Sequence, residues 1–241
     1  MSKINFLNLA EGELKDTSPK AMKKAYYKFQ KLKNFGTEYC KSAMKCGKYG
    51  IPLLDAYHGP IPKYYVSVSS PKCSDPEHTC ITSFDYDYVL ERMWYQPEKY
   101  DDLLIQYQCF GSLDFSMKID NPLAAQIGNK YRNHALSYRF QERGIPILPV
   151  VGWSSRPSFE FCFSGFSKGG AVMISTSGVL IDERSLWCFQ VGFVEMLKQI
   201  NPDVVIIYGD GSREHFPWIP KSLEVEFVKS NRLIRVREYG R

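Results

Sequence analysis

The amino-acid sequence predicts an α/β fold built around a mainly parallel sheet. Short runs such as residues 204–207 are apolar at every position, and most of these runs are followed by a segment with helical periodicity. Strands that are apolar on both faces are typical of parallel sheets covered by helices. About five strand–helix units fit either a TIM-type barrel with fewer than eight regular units or an open, doubly wound sheet.

The first predicted element is a basic helix over residues 20–34. Ser18 suits its N-cap, Pro19 suits the first helical position and Gly36 suits its end. Apolar residues recur on one face, and the other faces carry Lys20, Lys23, Lys24, Lys28 and Lys31. The five prolines between residues 50 and 79 then predict loops, with one short strand at 64–69.

Residues 80–228 carry the alternation of strands and helices. The predicted strands are 80–84, 109–114, 145–151, 171–174, 203–208 and 223–228. The predicted helices are 87–107 with a break at Pro97, 122–143, 158–163 and 186–200. This organisation predicts a basic helical arm, residues 1–49, followed by a single α/β domain, residues 50–241.

Positive charge is concentrated in the arm. Residues 1–50 contain 11 lysines and 4 acidic residues, a net charge of +7, whereas the whole chain has +5, so the remainder is close to neutral. A basic arm on a near-neutral body predicts contact with nucleic acid, and a solvated lysine face is the alternative. No apolar run reaches about 18 residues and the start does not resemble a signal peptide, so we expect a cytoplasmic protein without a membrane partner.

Seven cysteines in such a chain predict mainly reduced thiols. Cys40, Cys46, Cys73 and Cys80 provide enough sulfur for a zinc site. The gaps of five and six residues inside the two pairs are longer than structural zinc sites use, so unpaired thiols are the favoured interpretation.

Polar side chains follow every predicted strand, at the sheet edge where ligands bind in both architectures. Asp85 and Asp114 follow successive strands, and two neighbouring carboxylates bind a divalent metal or act as an acid and a base. The alternative is that each caps its following helix. Six further residues are candidates for binding an anion or a base: Ser116, Arg132, Trp153, Ser154, Ser175 and Thr176. Their alternatives are local backbone bonds, a surface ion pair for Arg132 and core packing for Trp153.

Two enzyme classes are disfavoured. None of the four histidines has a Ser or Cys partner in a nucleophile-elbow setting, which argues against a hydrolase triad. No pair of histidines flanks one hydrophobic residue, which argues against rolling-circle initiators. The segment Gly165–Gly170 departs from the phosphate-loop order and precedes its strand, so it is predicted at the opposite edge of the sheet.

That segment belongs to a longer pattern, Cys162-Phe163-Ser164-Gly165 to Gly169, which resembles the Cys-Phe-x-Gly-x-x-x-Gly signature of a family of bacterial, phage and plasmid proteins, a domain of unknown function. The similarity extends over about residues 45–210 and includes residues 114–116, 129–133, 147–153, 159 and 175–176. The resemblance implies a mobile-element setting and brings no established activity.

The leading hypothesis is a cytoplasmic mobile-element protein that engages nucleic acid or nucleotides through the basic arm and a polar pocket around Asp114 and Ser175. A metal-dependent enzyme acting on a phosphorylated or glycosidic substrate through Asp85 and Asp114 is the second. A non-catalytic counter-defence binder of a host protein or signalling nucleotide is the third. Whether the protein is an enzyme stays open at this point.

Overall fold

The computed structural model describes residues 18–20 and 35–230. The chain divides into two compact units, Met1–Glu38 and Tyr39–Arg241. In the first unit Pro19 and Lys20 are helical, whereas Lys23, Lys24, Lys28 and Lys31 lie outside the described residues. The division into a 1–49 arm and a 50–241 domain stays a prediction.

The second unit contains a short antiparallel pair and two parallel sheets. The antiparallel pair is β1 (Lys45–Cys46) with β2 (Ile51–Pro52). The first parallel sheet has the order β3 (Tyr64–Ser67), β4 (Thr79–Thr82), β5 (Cys109–Gly111) and β6 (Ile147–Leu148). The second has the order β7 (Ala171–Ser175), β8 (Val204–Tyr208) and β9 (Glu224–Val228).

A short bridge joins the two parallel sheets. Val150 pairs with Met173; the Val151 N–H donates to the Met173 carbonyl at 2.9 Å, and the Met173 N–H donates to the Pro149 carbonyl at 2.8 Å. The strands therefore follow chain order from β3 to β9, without the reversal of a doubly wound sheet. Within residues 35–230 no strand pairing connects β9 to β3, so barrel closure is not shown. The predicted α/β class with mainly parallel strands is confirmed, but neither finer architecture is.

Helices follow the strands in the predicted alternation. Helices α1 (Asp87–Tyr95) and α2 (Glu98–Leu104) follow β4, and α3 (Leu123–Glu142) follows β5. Helix α4 (Phe159–Cys162) follows β6, and α5 (Glu183–Ile200) follows β7. No helix in the described part of the chain is both long enough and apolar enough to cross a membrane.

The strands bury both faces, as their apolar sequences predict. One face of the first sheet packs against α1, α2 and α3, and one face of the second packs against α5. Residues from the other faces of both sheets form a third cluster, which includes Cys80, Leu148, Met173 and Ile206. Because successive side chains of a strand point to opposite faces, Ile81 belongs to the helix-covered cluster although its neighbour Cys80 belongs to the third.

Prolines account for the main differences between the predicted and observed boundaries. The predicted break at Pro97 is confirmed, because α1 ends at Tyr95 and α2 begins at Glu98. The predicted strand 145–151 pairs over only two residues in β6, which lies between Pro146 and Pro149. Proline has no N–H to donate to a neighbouring strand, so pairing of this kind is limited there.

The segment Gly165–Gly170 lies at the amino end of β7, the edge predicted for it. Gly165 has a φ of +83°, and an added Cβ would lie 2.7 Å from the Pro52 carbonyl oxygen and 2.8 Å from His134 Nδ1. The Leu54 N–H donates to the Gly165 carbonyl at 2.8 Å. Only glycine therefore allows the chain to approach β2 and α3 this closely.

We expect Gly165→Ala to lower the free energy of unfolding by about 2–5 kcal/mol. Left-handed backbone strain contributes roughly 1–2 kcal/mol, and overpacking contributes roughly 1–3 kcal/mol. Gly144→Ala is the matched control, because Gly144 has a similar φ of +81° but nothing within 4 Å of an added Cβ. In urea unfolding, the control should lose only the part of the unfolding free energy that comes from left-handed backbone strain. Equal losses in the two variants would contradict close packing at Gly165.

Candidate functional site

A cavity of about 660 Å³ opens at the carboxyl edge of the parallel strands. The segments that follow β4, β5, β6 and β7 all contribute to its wall. Six of the eight predicted site residues line it: Asp85, Asp114, Ser116, Trp153, Ser154 and Ser175. The structure thus brings the polar groups that follow successive strands to one concave surface.

Helix α3 holds the segment that carries Asp114. The Leu113 N–H donates to Ser137 Oγ at 2.8 Å, and the Phe115 N–H donates to Asn133 Oδ1 at 2.7 Å. Asn129 Nδ2 donates to the Ser116 carbonyl, also at 2.8 Å. Side chains of one rigid helix therefore bind the backbone on both sides of Asp114, which fixes where its carboxyl group enters the cavity wall.

The electrostatic surroundings of Asp114 favour its protonated form. Burial raises the pKa of Asp114 to about 7, with a further contribution from the neighbouring Asp87 carboxylate and an opposing one from Lys130. Asp87 is held at the same strand end, because its Oδ1 accepts hydrogen bonds from the Ser116 N–H at 3.1 Å and from Ser116 Oγ at 2.9 Å. A carboxyl group with a pKa near neutrality can take up and release a proton under physiological conditions.

Lys130 and His134 form a buried pair on α3, one helical turn apart. His134 Nδ1 is 2.8 Å from the Pro52 carbonyl, which only accepts, so Nδ1 carries the proton and Nε2 accepts from Lys130 Nζ at 2.5 Å. Burial lowers the pKa of Lys130 to about 7, opposed by Cys162 and Asp114. Burial and the neighbouring Lys130 hold the pKa of His134 well below its usual range. The Lys130 amine also lies 3.8 Å from the centre of the Phe166 ring.

The other polar groups of the wall are held by local hydrogen bonds. Asp85 Oδ2 accepts from Ser67 Oγ at 2.5 Å, and its Oδ1 accepts from the Tyr86 N–H at 2.9 Å. Ser154 Oγ donates to Gln126 Oε1 at 2.5 Å, and Ser175 Oγ accepts from the Ser177 N–H at 3.1 Å. These hydrogen bonds hold the three polar side chains of the wall in place.

Trp153 provides a half-buried aromatic surface in the wall. Its indole N–H donates to the Cys188 carbonyl at 3.2 Å, and its ring stacks on Phe189 with a centroid distance of 5.4 Å. Gly192 of α5 lies directly against the indole, where a Cβ would collide with Nε1. Trp153 therefore lines the cavity, as predicted, and also packs in the core, which was the alternative interpretation of this residue.

Two predicted site residues lie away from the cavity wall. Arg132 Nη2 forms an ion pair with Glu91 Oε1 at 2.7 Å, and its guanidinium carbon is 3.7 Å from the centre of the Phe115 ring. Thr176 is buried, and its Oγ1 donates to the Asp210 carbonyl at 2.7 Å. Neither side chain is part of the cavity wall, because both hold neighbouring segments, and a binding role for them stays a prediction.

The described residues do not contain a group of side chains that is already arranged as a metal site. Among residues 18–20 and 35–230, no group of three or more His, Cys, Asp or Glu side chains is arranged to hold a metal ion. None of the seven cysteines, all within residues 35–230, forms a disulfide bond, and the four considered for zinc are not arranged to hold a metal ion.

Several residues of the site were not among the candidates predicted from the sequence. Lys118 and Arg184 bring positive charge to the cavity wall, and Asp87 and Lys130 influence the protonation of Asp114. The spacing of Gln126, Lys130 and His134 by four residues was the available clue, because it places three polar side chains on one buried face of α3.

Fold and site together define an α/β protein with a polar, aromatic-lined cavity at the carboxyl edge of its parallel strands. The family model for the domain of unknown function DUF4417 matches residues 43–225, so the chain belongs to that family. The family resemblance noted from the sequence is thereby confirmed, whereas the Cys-Phe-x-Gly pattern as its signature stays a prediction.

Phage proteins are among the relatives of this chain. It is 34% identical over 126 residues to the Gene 1 protein of Mycobacterium phage D29. This alignment covers 51% of this chain and 46% of the phage protein. It is 32% identical over 123 residues to the Gene 1 protein of Mycobacterium phage L5. This alignment covers 51% of this chain and 54% of the phage protein. The chain therefore spans about half the length of these curated relatives. No solved structure matches it.

We expect the stability of the protein to rise between pH 7 and 8.5 because of Lys130. The unfolded chain keeps a lysine pKa near 10.5, so it binds a proton that the folded state, with its pKa of about 7, releases. The resulting slope is at most about 1.4 kcal/mol per pH unit. Lys130→Met should remove this rise but also cost about 1–3 kcal/mol, because Nε2 of the buried His134 loses its hydrogen-bond donor. Asp114, whose pKa is raised to about 7, acts in the opposite direction near pH 7, so the wild-type rise should be steepest above that pH.

Urea unfolding at both pH values measures the slope, and Lys198→Gln is the control because Lys198 is exposed on α5. The control should keep the wild-type slope. A Lys130→Met slope identical to that of the wild type would show that the buried amine does not titrate in this range.

Proposed function

We propose that the cavity binds a nucleotide, free or at the end of a nucleic acid, in a phage-type protein that acts in the cytoplasm. The observation that carries the proposal is the combination of aromatic, hydroxyl, carboxylate and cationic side chains in one cavity of about 660 Å³. This volume is within the roughly 300–1,000 Å³ of typical small-molecule sites. A nucleotide has a planar base, a hydroxylated sugar and an anionic phosphate, and it needs each of these side-chain types.

Different parts of the wall suit different parts of this ligand. Trp153 and Phe84 offer aromatic surface for a base, and the carboxylates of Asp85 and Asp114 accept hydrogen bonds from sugar hydroxyls or base amino groups. Lys118 and Arg184 are the cations of the wall, and we assign the phosphate to them. The amino end of α5 is less suitable for phosphate, because the carboxylate of Asp182 already accepts from the Ser185 N–H there at 2.7 Å.

The basic arm supports the nucleic-acid form of the proposal through its charge alone. Lys20, Lys23, Lys24, Lys28 and Lys31 carry five positive charges within 12 residues. Such a segment attracts phosphates without regard to base sequence, and the attraction falls steeply with added salt. The arm would raise the local concentration of nucleic acid, whereas the cavity would select the nucleotide.

Calorimetric titration of the full-length chain with nucleoside mono-, di- and triphosphates tests the proposal. We expect saturable binding at one site per chain. Lys118→Gln and Arg184→Gln should each weaken it roughly 10- to 150-fold, since a hydrogen bond to a charged group contributes roughly 1.5–3 kcal/mol. Lys198→Gln is the matched control, because it removes the same charge from the exposed surface of α5 outside the cavity wall.

The same titration with DNA and RNA oligonucleotides at 50 and 200 mM salt reports on the arm. A large loss of affinity between the two concentrations supports phosphate contacts by the lysines. Absence of binding to every nucleotide and every nucleic acid, even at low salt, would end the proposal. Equal weakening by Lys198→Gln would show that only overall charge is being measured.

A second candidate function, acid–base catalysis on the bound ligand, is favoured by the position of Asp114 in the cavity wall next to Asp87, where burial raises the pKa of Asp114 to about 7. A general acid or base works best with a pKa near the working pH. Asp85 is the second carboxyl group of the wall, and its oxygens accept hydrogen bonds from Ser67 Oγ at 2.5 Å and from the Tyr86 N–H at 2.9 Å. Two carboxyl groups in one wall supply the pair that acid–base catalysis uses.

We expect Asp87→Asn to lower the pKa of Asp114 from about 7, because it removes a neighbouring negative charge while keeping an oxygen that accepts from Ser116. Carboxyl ¹³C NMR across pH 4–9 measures the titration. Asp120→Asn is the control, since Asp120 is exposed at the cavity wall and does not contribute to the shift. An Asp114 that titrates near 4 in the wild type would remove the support for catalysis and leave the binding proposal intact.

A further inference from the structure

An exposed pair of tyrosines continues the cavity outward. Tyr86 lines the cavity and is 54% exposed, and Tyr88, in the first turn of α1, is 61% exposed. Their rings stack, with centroids 5.5 Å apart and planes inclined by 15°. Tyr88 is not part of the cavity wall, so the stacked pair leads from the wall onto the outer surface.

The fold does not use this pair for its core. Helix α1 buries Val89, Leu90, Met93 and Trp94, and these residues complete its packing against the first sheet. The rims of the loops after β5 and β7 also expose large apolar groups, with Ile119 at 41% and Ile181 at 80%. Contiguous exposed apolar surface marks a binding site, and Ile119 shares the cavity wall with Tyr86.

Cations accompany the aromatic rings. The guanidinium carbon of Arg92 lies 5.7 Å from the centre of the Tyr88 ring, and Arg92 is exposed. Lys118 and Arg184 supply positive charge on the cavity side. Exposed aromatic rings interspersed with cations form the surface that binds single-stranded nucleic acid, because the rings stack on bases and the cations follow the phosphates.

We propose that the ligand of this site is a single-stranded oligonucleotide, with its terminal nucleotide in the cavity and the adjacent base stacked on Tyr86 and Tyr88. This inference rests on the proposed function and adds the ligand class to it. The interior of a duplex does not fit this arrangement, because its bases are paired and stacked on each other. An uncharged sugar polymer would also stack on tyrosine but would leave the three cations without a role.

The test compares the affinities of a mononucleotide, a dinucleotide and a tetranucleotide for the full-length chain at fixed salt. We expect affinity to rise from the mononucleotide to the dinucleotide, where the second base reaches the tyrosines. Tyr88→Leu should weaken tetranucleotide binding roughly 5- to 150-fold, since base–aromatic stacking contributes about 1–3 kcal/mol per base. Tyr88→Phe keeps the ring and should keep the affinity.

Tyr95→Leu is the control, because Tyr95 is exposed at the other end of α1. Equal affinities for mono- and tetranucleotide, an unchanged Tyr88→Leu variant, or duplex bound as tightly as single strand would overturn the inference and leave the nucleotide site standing. Binding of neither nucleotides nor oligonucleotides would remove the proposed function itself. Binding of neutral oligosaccharides instead would overturn both.

Discussion

Two backbone hydrogen bonds to Met173 hold the four-stranded and the three-stranded sheet edge to edge. Because every strand from β3 to β9 is parallel and follows chain order, this junction aligns the carboxyl ends of both sheets. Asp85 and Asp114 extend from the first sheet and Ser175 from the second, and they share one cavity only because the junction exists. The contact is short because Pro149 lacks an N–H with which to extend it. The alignment of the site therefore depends on this short backbone contact together with the side-chain cluster that the two sheets share.

The fold was largely accessible from sequence because its strands are apolar at successive positions. Runs such as residues 204–207 bury both faces, so their pattern needs no tertiary knowledge, and the break at Pro97 follows from a local property of proline. Strand lengths were less accessible, since pairing depends on a partner: β6 has two residues although the apolar run is longer. The choice between a barrel and an open sheet depends on contacts between the first and last strands, which no local pattern contains.

Site residues that immediately follow strands could be predicted from the sequence, whereas site residues inside a helix could not. The position of Asp114 follows from the rule for parallel strands, but its protonation depends on Asp87 and Lys130, which are distant in sequence. Arg132 and Lys130 are two positions apart on α3 but lie in different environments. Arg132 forms an ion pair with Glu91, whereas Lys130 is buried against His134. Side-chain direction around a helix decides between them, and polar residues on both faces gave no indication of which face would be covered.

Cys188 gives the cavity wall a thiol group beside Trp153. Cys40, Cys80, Cys109 and Cys162 are buried, and only Cys46 and Cys73 share the partial accessibility of Cys188. Replacing those two with serine would leave Cys188 as the one partly accessible cysteine, in the wall where an occupant would shield it from alkylation. Protection of that sulfur would report occupancy of the cavity by any compound, so a library can be screened against this chain before the chemistry of its natural occupant is known.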